Sequence, residues 1–136
     1  MARANGSRAQ AALAFESTYG TAPVSGFRTI PFATSSLKAE RPLIENEMLG
    51  FGRDPLAPQR DAITVGGDLV IPVDLENLGL WLKAAFGPPG TTGTTPKVHT
   101  FNSGAWALPS LSLEIGMPDV PRFNMYSGLM VNSLQW

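Results

Sequence analysis

Residues 61–87, DAITVGGDLVIPVDLENLGLWLKAAFG, constrain the fold more than any other stretch of the chain. Ile63, Val65, Gly67, Leu69, Ile71 and Val73 alternate with Ala62, Thr64, Gly66, Asp68 and Val70. That period of two predicts one long, half-buried strand. The Gly66-Gly67 pair gives up side-chain packing and predicts a bulge or bend. Pro72 ends the strand or confines it to an edge, because it has no N–H to give a ladder. Asp74 then stands where an N-cap belongs, and Glu76 adds charge suited to the positive helix end. Leu75, Leu78, Leu82 and Ala85 or Phe86 recur at helical spacing, and Gly87-Pro88-Pro89 stops the run. Leu80, Trp81 and Ala84 widen the apolar stripe, so this helix needs cover on more than one side, while Glu76, Asn77 and Lys83 are left for water. Gly79 is costly inside a helix and suggests that another backbone passes close.

The rest of the chain is assigned around this unit. Residues 1–8 are small, polar and basic, and read as an N-terminal arm. Ala9, Ala11, Leu13 and Phe15 alternate with Gln10, Ala12, Ala14 and Glu16, which predicts a first strand. Residues 27–34 predict a second strand, weakened by Pro31. Residues 35–60 form a long irregular connection in which Leu43, Ile44, Met48, Leu49 and Phe51 sit among charged residues, with Gly50, Gly52, Pro55 and Pro58 as breakers. Apolar residues there suit an extended arm or hairpin that gains order against a neighbour. Residues 88–97, PPGTTGTTPK, read as a flexible loop, and residues 98–101 as a short strand. Leu111, Leu113 and Ile115 alternate with Ser110, Ser112 and Glu114 in a strand that turns at residues 116–119. Residues 122–126 and 127–136 read as two further strands, the last with a bulge near Asn132-Ser133.

Composition limits the chemistry. The chain has 136 residues, enough for one domain spanning residues 9–136 behind the arm. Ten basic residues against 11 acidic ones argue against a general nucleic-acid binder. There is no cysteine, hence no disulfide and no thiolate metal site. No apolar run reaches the ~20 residues that span a bilayer, and no secretory signal pattern follows the basic start. The single histidine, His99, lies in a strand candidate. No serine sits in a G-x-S-x-G elbow, no carboxylates and histidines cluster at metal-ligand spacing, and no phosphate-binding glycine fingerprint exists. The reading is therefore a non-enzymatic structural or interaction protein with no catalytic residue, cofactor or metal. With 14 Gly and 12 Pro among short alternating runs, the class is mainly β.

Several of these stretches resemble tail tube proteins of long-tailed bacteriophages and related prophage or gene-transfer particles. They are AALAFESTYGTAP, LGFGRDPLAPQRDAITVGGDLVIPVDLENLGLWLKAAFG, HTFNSG and PSLSLEIGMPD, covering most of residues 9–136. The resemblance implies a β-sandwich or barrel-like fold of two packed antiparallel sheets, with one flanking helix around residues 74–86. It implies hexameric rings joined through their sheets, stacked into a tube that carries DNA from capsid to host. The arm (1–8) and the loop (38–60) would mediate contact between copies. The partners would be copies of the chain and other tail proteins, with only transient, non-specific passage of DNA and no membrane. The place would be the virion tail, assembled in the bacterial host cytoplasm. Leu49, Phe51, Arg53, Asp54 and Arg60 are the expected subunit-contact residues, while Leu78, Trp81, Leu82 and Phe86 belong to the core. Relatives of this kind are often longer, which suggests that the sequence resembles their front part. Two other readings stand beside this one. They are a different β-rich virion component (tail terminator, neck or decoration protein) and a small hydrolase or carbohydrate-binding domain using His99.

Overall fold

The structure is a computed structural model, and it describes residues 3–46, 48, 52, 54 and 56–136. It is mainly β, with several antiparallel sheets and one helix, as the residue patterns and the resemblance imply. No sheet closes into a barrel among the described residues. The strands are β1 (Gln10–Phe15), β2 (Arg28–Ile30), β3 (Thr34–Ser35), β4 (Lys38–Glu40), β5 (Leu43–Asn46) and β6 (Leu56–Arg60). They continue as β7 (Thr64–Gly66), β8 (Leu69–Val70), β9 (Gly90–Thr92), β10 (Val98–Thr100), β11 (Leu111–Met117) and β12 (Arg122–Leu129), with α1 (Leu78–Phe86) between β8 and β9.

The core lies against one four-stranded antiparallel sheet, ordered β12-β11-β1-β2. Leu13 faces Leu113 and Ala11 faces Ile115 across the β1–β11 ladder, so the apolar phases of both strands meet on one side. Trp81 and Ala84 of α1 join Ala11, Leu13, Ile30, Leu111 and Leu113 in the buried cluster. Only these two helix residues and the flanking Asn77 and Gly87 are fully buried, while Leu78, Leu80, Leu82 and Phe86 are half-covered. Gly79 is exposed with nothing near its missing Cβ, so the close backbone expected there is absent. Lys83 does not stand free in water: its ammonium lies 4.4 Å from the centre of the Phe15 ring.

Asp74 caps the turn that leads into the helix. Its carboxylate accepts from the Asn77 backbone N–H at 2.6 Å and from the Asn77 side-chain amide, and its carbonyl accepts from Leu78 N–H. The helix proper therefore starts four residues later than the cap, and Asn77 is buried rather than solvated. Leu75, expected on the apolar stripe, sits in that first turn with 97% of its surface exposed.

The expected long strand over residues 61–73 is broken into β7 and β8. Gly67, at φ 142°, interrupts it, and a Cβ there would stand 2.6 Å from the Ser36 carbonyl oxygen. Ser36 repairs the gap by accepting the Asp68 N–H on its hydroxyl at 2.8 Å. The predicted second strand is likewise cut by Pro31 into β2 and β3. Residues 88–97 are not wholly loop, since β9 pairs with β10 in a small hairpin. At the C-terminal side, β12 runs unbroken through the boundary expected near residue 126, and residues 130–136 form no strand. The bulge falls earlier than expected, where Leu111 and Leu113 oppose Leu129 and Tyr126, with Gly128 at φ 72°.

Candidate assembly surfaces

Residues 38–60 contain strands, Pro58 included, and belong to a longer feature. Thr34 pairs with Val70, Ala39 with Val65, and Leu43 with Arg60, so three short ladders follow one another along the same two segments. Residues 34–46 and 56–70 thus form one interrupted two-stranded ribbon, about 40 Å of chain at the usual strand rise. Its base is anchored: Leu37, Leu69 and Ile71 pack on the core, and the Tyr126 hydroxyl donates to the Leu37 carbonyl at 3.1 Å. Beyond the base both faces are open. Leu43 is 61% exposed and Ile44 52% exposed, and as neighbours in one strand they point to opposite sides. A lone two-stranded ribbon is marginally stable in water, and this one carries uncovered apolar side chains on both faces.

The four-stranded sheet has two outer strands, β2 and β12. The β2 edge is short and ends at Pro31. The first half of β12, Arg122 to Met125, is exposed and presents Phe123 and Met125. Phe123 lies across Gly116, where any Cβ would collide with its ring.

Glu16 fixes the far end of β12. Its carboxylate accepts from the Ser112 hydroxyl at 2.6 Å, from Gly128 N–H at 2.7 Å and from Gly20 N–H at 2.8 Å. Burial pushes this carboxyl up, but the hydrogen bonds from Ser112, Gly128, Ser110 and Gly20 outweigh it and hold the group below its ordinary value. Asp74 is also held below its usual range, first by the Asn77 side chain and then by the Asn77 N–H. The Lys38 ammonium is pushed up by its hydrogen bond to Glu40 and then by that carboxylate's charge.

At the other end, the arm is partly tied down. A short 3-10 turn at Gly6–Arg8 brings the Arg8 guanidinium to 2.7 Å from Asp119, in the turn after β11.

Of the expected contact residues, Asp54 is exposed, and Arg60 is exposed on β6 opposite Leu43. Leu49, Phe51 and Arg53 lie outside the described residues. Leu75, whose spacing fits the helix stripe, is instead exposed ahead of the helix, because the helix begins at Leu78 rather than directly after Asp74. His99 is exposed in the small hairpin, with Nδ1 2.8 Å from the Thr91 hydroxyl directly opposite. Among the described residues, no group of three or more His, Cys, Asp or Glu could hold a metal ion. No helix among them is long and apolar enough to cross a membrane.

A model of the phage tail tube protein family matches residues 6–136, nearly the whole chain. The chain belongs to the phage tail tube protein family. A search among curated proteins gave no match. Membership makes the chain a structural component of the virion tail, assembling with itself and with other tail proteins. The residues that carried the resemblance have visible structural work. Glu16 and Gly20 bind each other, Gly67 marks the break between β7 and β8, and Asp74 caps the helix entry.

Proposed function

We propose that this chain is a non-enzymatic tube subunit that closes into hexameric rings, which stack into a tail tube conducting DNA from capsid to host. The observation that carries this is the ribbon of residues 34–46 and 56–70, with apolar side chains on both open faces, in a chain of the tail tube family. Exposed strand edges and uncovered apolar side chains are satisfied when copies pair. Residues 9–136 act as a single domain, with residues 1–8 as an arm and residues 38–60 as the contact segment. Leu49, Phe51, Arg53, Asp54 and Arg60 are assigned to subunit contact. Head-to-tail contacts between unlike surfaces close into a ring when their rotation closes and run on as an open stack when it does not, and a tube needs both kinds. Near-neutral charge suits a conduit that passes DNA without gripping it. Assembly is assigned to the host cytoplasm.

Electron microscopy of the purified chain tests the reading. Rings or tubes about 100 Å wide are expected from six small domains around a channel. A monomer that persists at high concentration across salt conditions would overturn it.

A further inference from the structure

We infer that the charged face of one copy's ribbon seats in the cleft between β2 and the helix entry of the next copy; the inference rests on the tube reading above. The ribbon's register sets Leu43 opposite Arg60, so both side chains share a face, and both are exposed. Arg41 adjoins them, exposed, with Nε donating to the Asp61 carbonyl at 2.9 Å. That face is an apolar centre beside two guanidinium groups. Neither Arg41 nor Arg60 has an ion-pair partner among the described residues.

The cleft carries the inverse pattern. It is an open hollow of about 570 Å³ with Pro31 and the almost fully exposed Leu75 in its lining, and Asp74 and Glu76 beside them. The Glu76 side chain is 80% exposed although it meets Arg28 at 2.8 Å, so a second guanidinium can share its carboxylate. Two carboxylates against the single Arg28 leave the cleft with excess negative charge. The opposite ribbon face sets Ile44 against the uncharged Gln59 and lacks this complementarity. A leucine flanked by arginines meeting a leucine flanked by carboxylates joins two unlike surfaces of the same chain. Such a joint repeats head to tail from copy to copy.

Charge reversal tests the pairing by sedimentation velocity and electron microscopy on the full chain. Arg60→Glu and Glu76→Arg should each raise the concentration needed for assembly by about tenfold or more, and Glu76→Gln by less. The double variant Arg60→Glu/Glu76→Arg should return it to within about threefold of the unsubstituted chain. Arg60 is exposed without an ion pair among the described residues, so Arg60→Glu should leave the thermal unfolding midpoint unchanged, while Glu76→Arg, which loses the pair with Arg28, should lower it slightly without unfolding the chain. If the unsubstituted chain assembles but neither reversal weakens assembly, or the double variant fails to restore it, the pairing is wrong and the tube reading stands. If the unsubstituted chain never assembles, both fall.

Discussion

Glu16 shows how one side chain can set the geometry of a sheet. Its carboxylate gathers the end of β1, the buried Ser112 of β11, the bulge of β12 and the turn at Gly20. Replacing it with Ala leaves the Ser112 hydroxyl, in a residue with 0% exposure, without its acceptor. The expected cost is about 1–3 kcal/mol, measured as a lowered midpoint in urea unfolding with unchanged slope. The folded carboxyl lies below its ordinary value, so its contribution is fully present above the unfolded value of about 4.3 and is lost as pH falls through the lower folded value. Unfolding of Glu16→Gln should therefore depend less on pH in that acid window than unfolding of the unsubstituted chain. Equal acid sensitivity in both would remove Glu16 from this role.

Among the elements, the helix and the ribbon behave differently. Trp81, 8% exposed, is the helix's main anchor in the core cluster. Trp81→Ala should cost about 3–5 kcal/mol by removing buried ring surface and leaving a cavity, seen as a large drop in melting temperature. Gly67 holds the ribbon's irregular step through positive φ and close approach to Ser36. Gly67→Ala forces both backbone strain and a collision, for an expected loss of about 2–3 kcal/mol. Hydrogen exchange should localise the damage: amides of β4 and β7 exchange faster, while those of β1 and β11 keep their protection. Uniform acceleration across the four-stranded sheet would show that the ribbon is not a separate unit.

On the scale of the whole molecule, the protein is a small covered core with a large uncovered appendage. The core sheet and the helix share one buried cluster, whereas the ribbon beyond residue 38 has apolar side chains that no described residue covers. Ile44→Asp and Leu43→Asp should leave the melting temperature of the isolated chain nearly unchanged, since both residues are already exposed. Under the tube reading they should suppress assembly, which light scattering against concentration measures. A variant that melts early while still assembling would place these residues in a fold contact instead.

Much of the interior was legible from residue order. Alternation in β1 and β11, the Asp74 turn and the Gly87 stop are local signals, set by backbone periods and by which groups lack hydrogen-bond partners at a helix end, whereas of the four helix residues expected in the core only Trp81 is buried. Patterns in the same residues also placed the chain among tail tube proteins. Other features depended on partners distant in sequence. The Gly66-Gly67 pair marks a bend in the sequence, but its becoming a full break depends on the Ser36 backbone beside Gly67, and the pairing of residues 34–46 with 56–70 needs a register that turn-forming glycines and prolines conceal. The bulge at Gly128 needs Glu16, more than a hundred residues away, to receive its N–H. Short-range physics settled which segments extend or coil, and long-range hydrogen bonding and packing decided which of them pair, where they break and which apolar side chains stay uncovered.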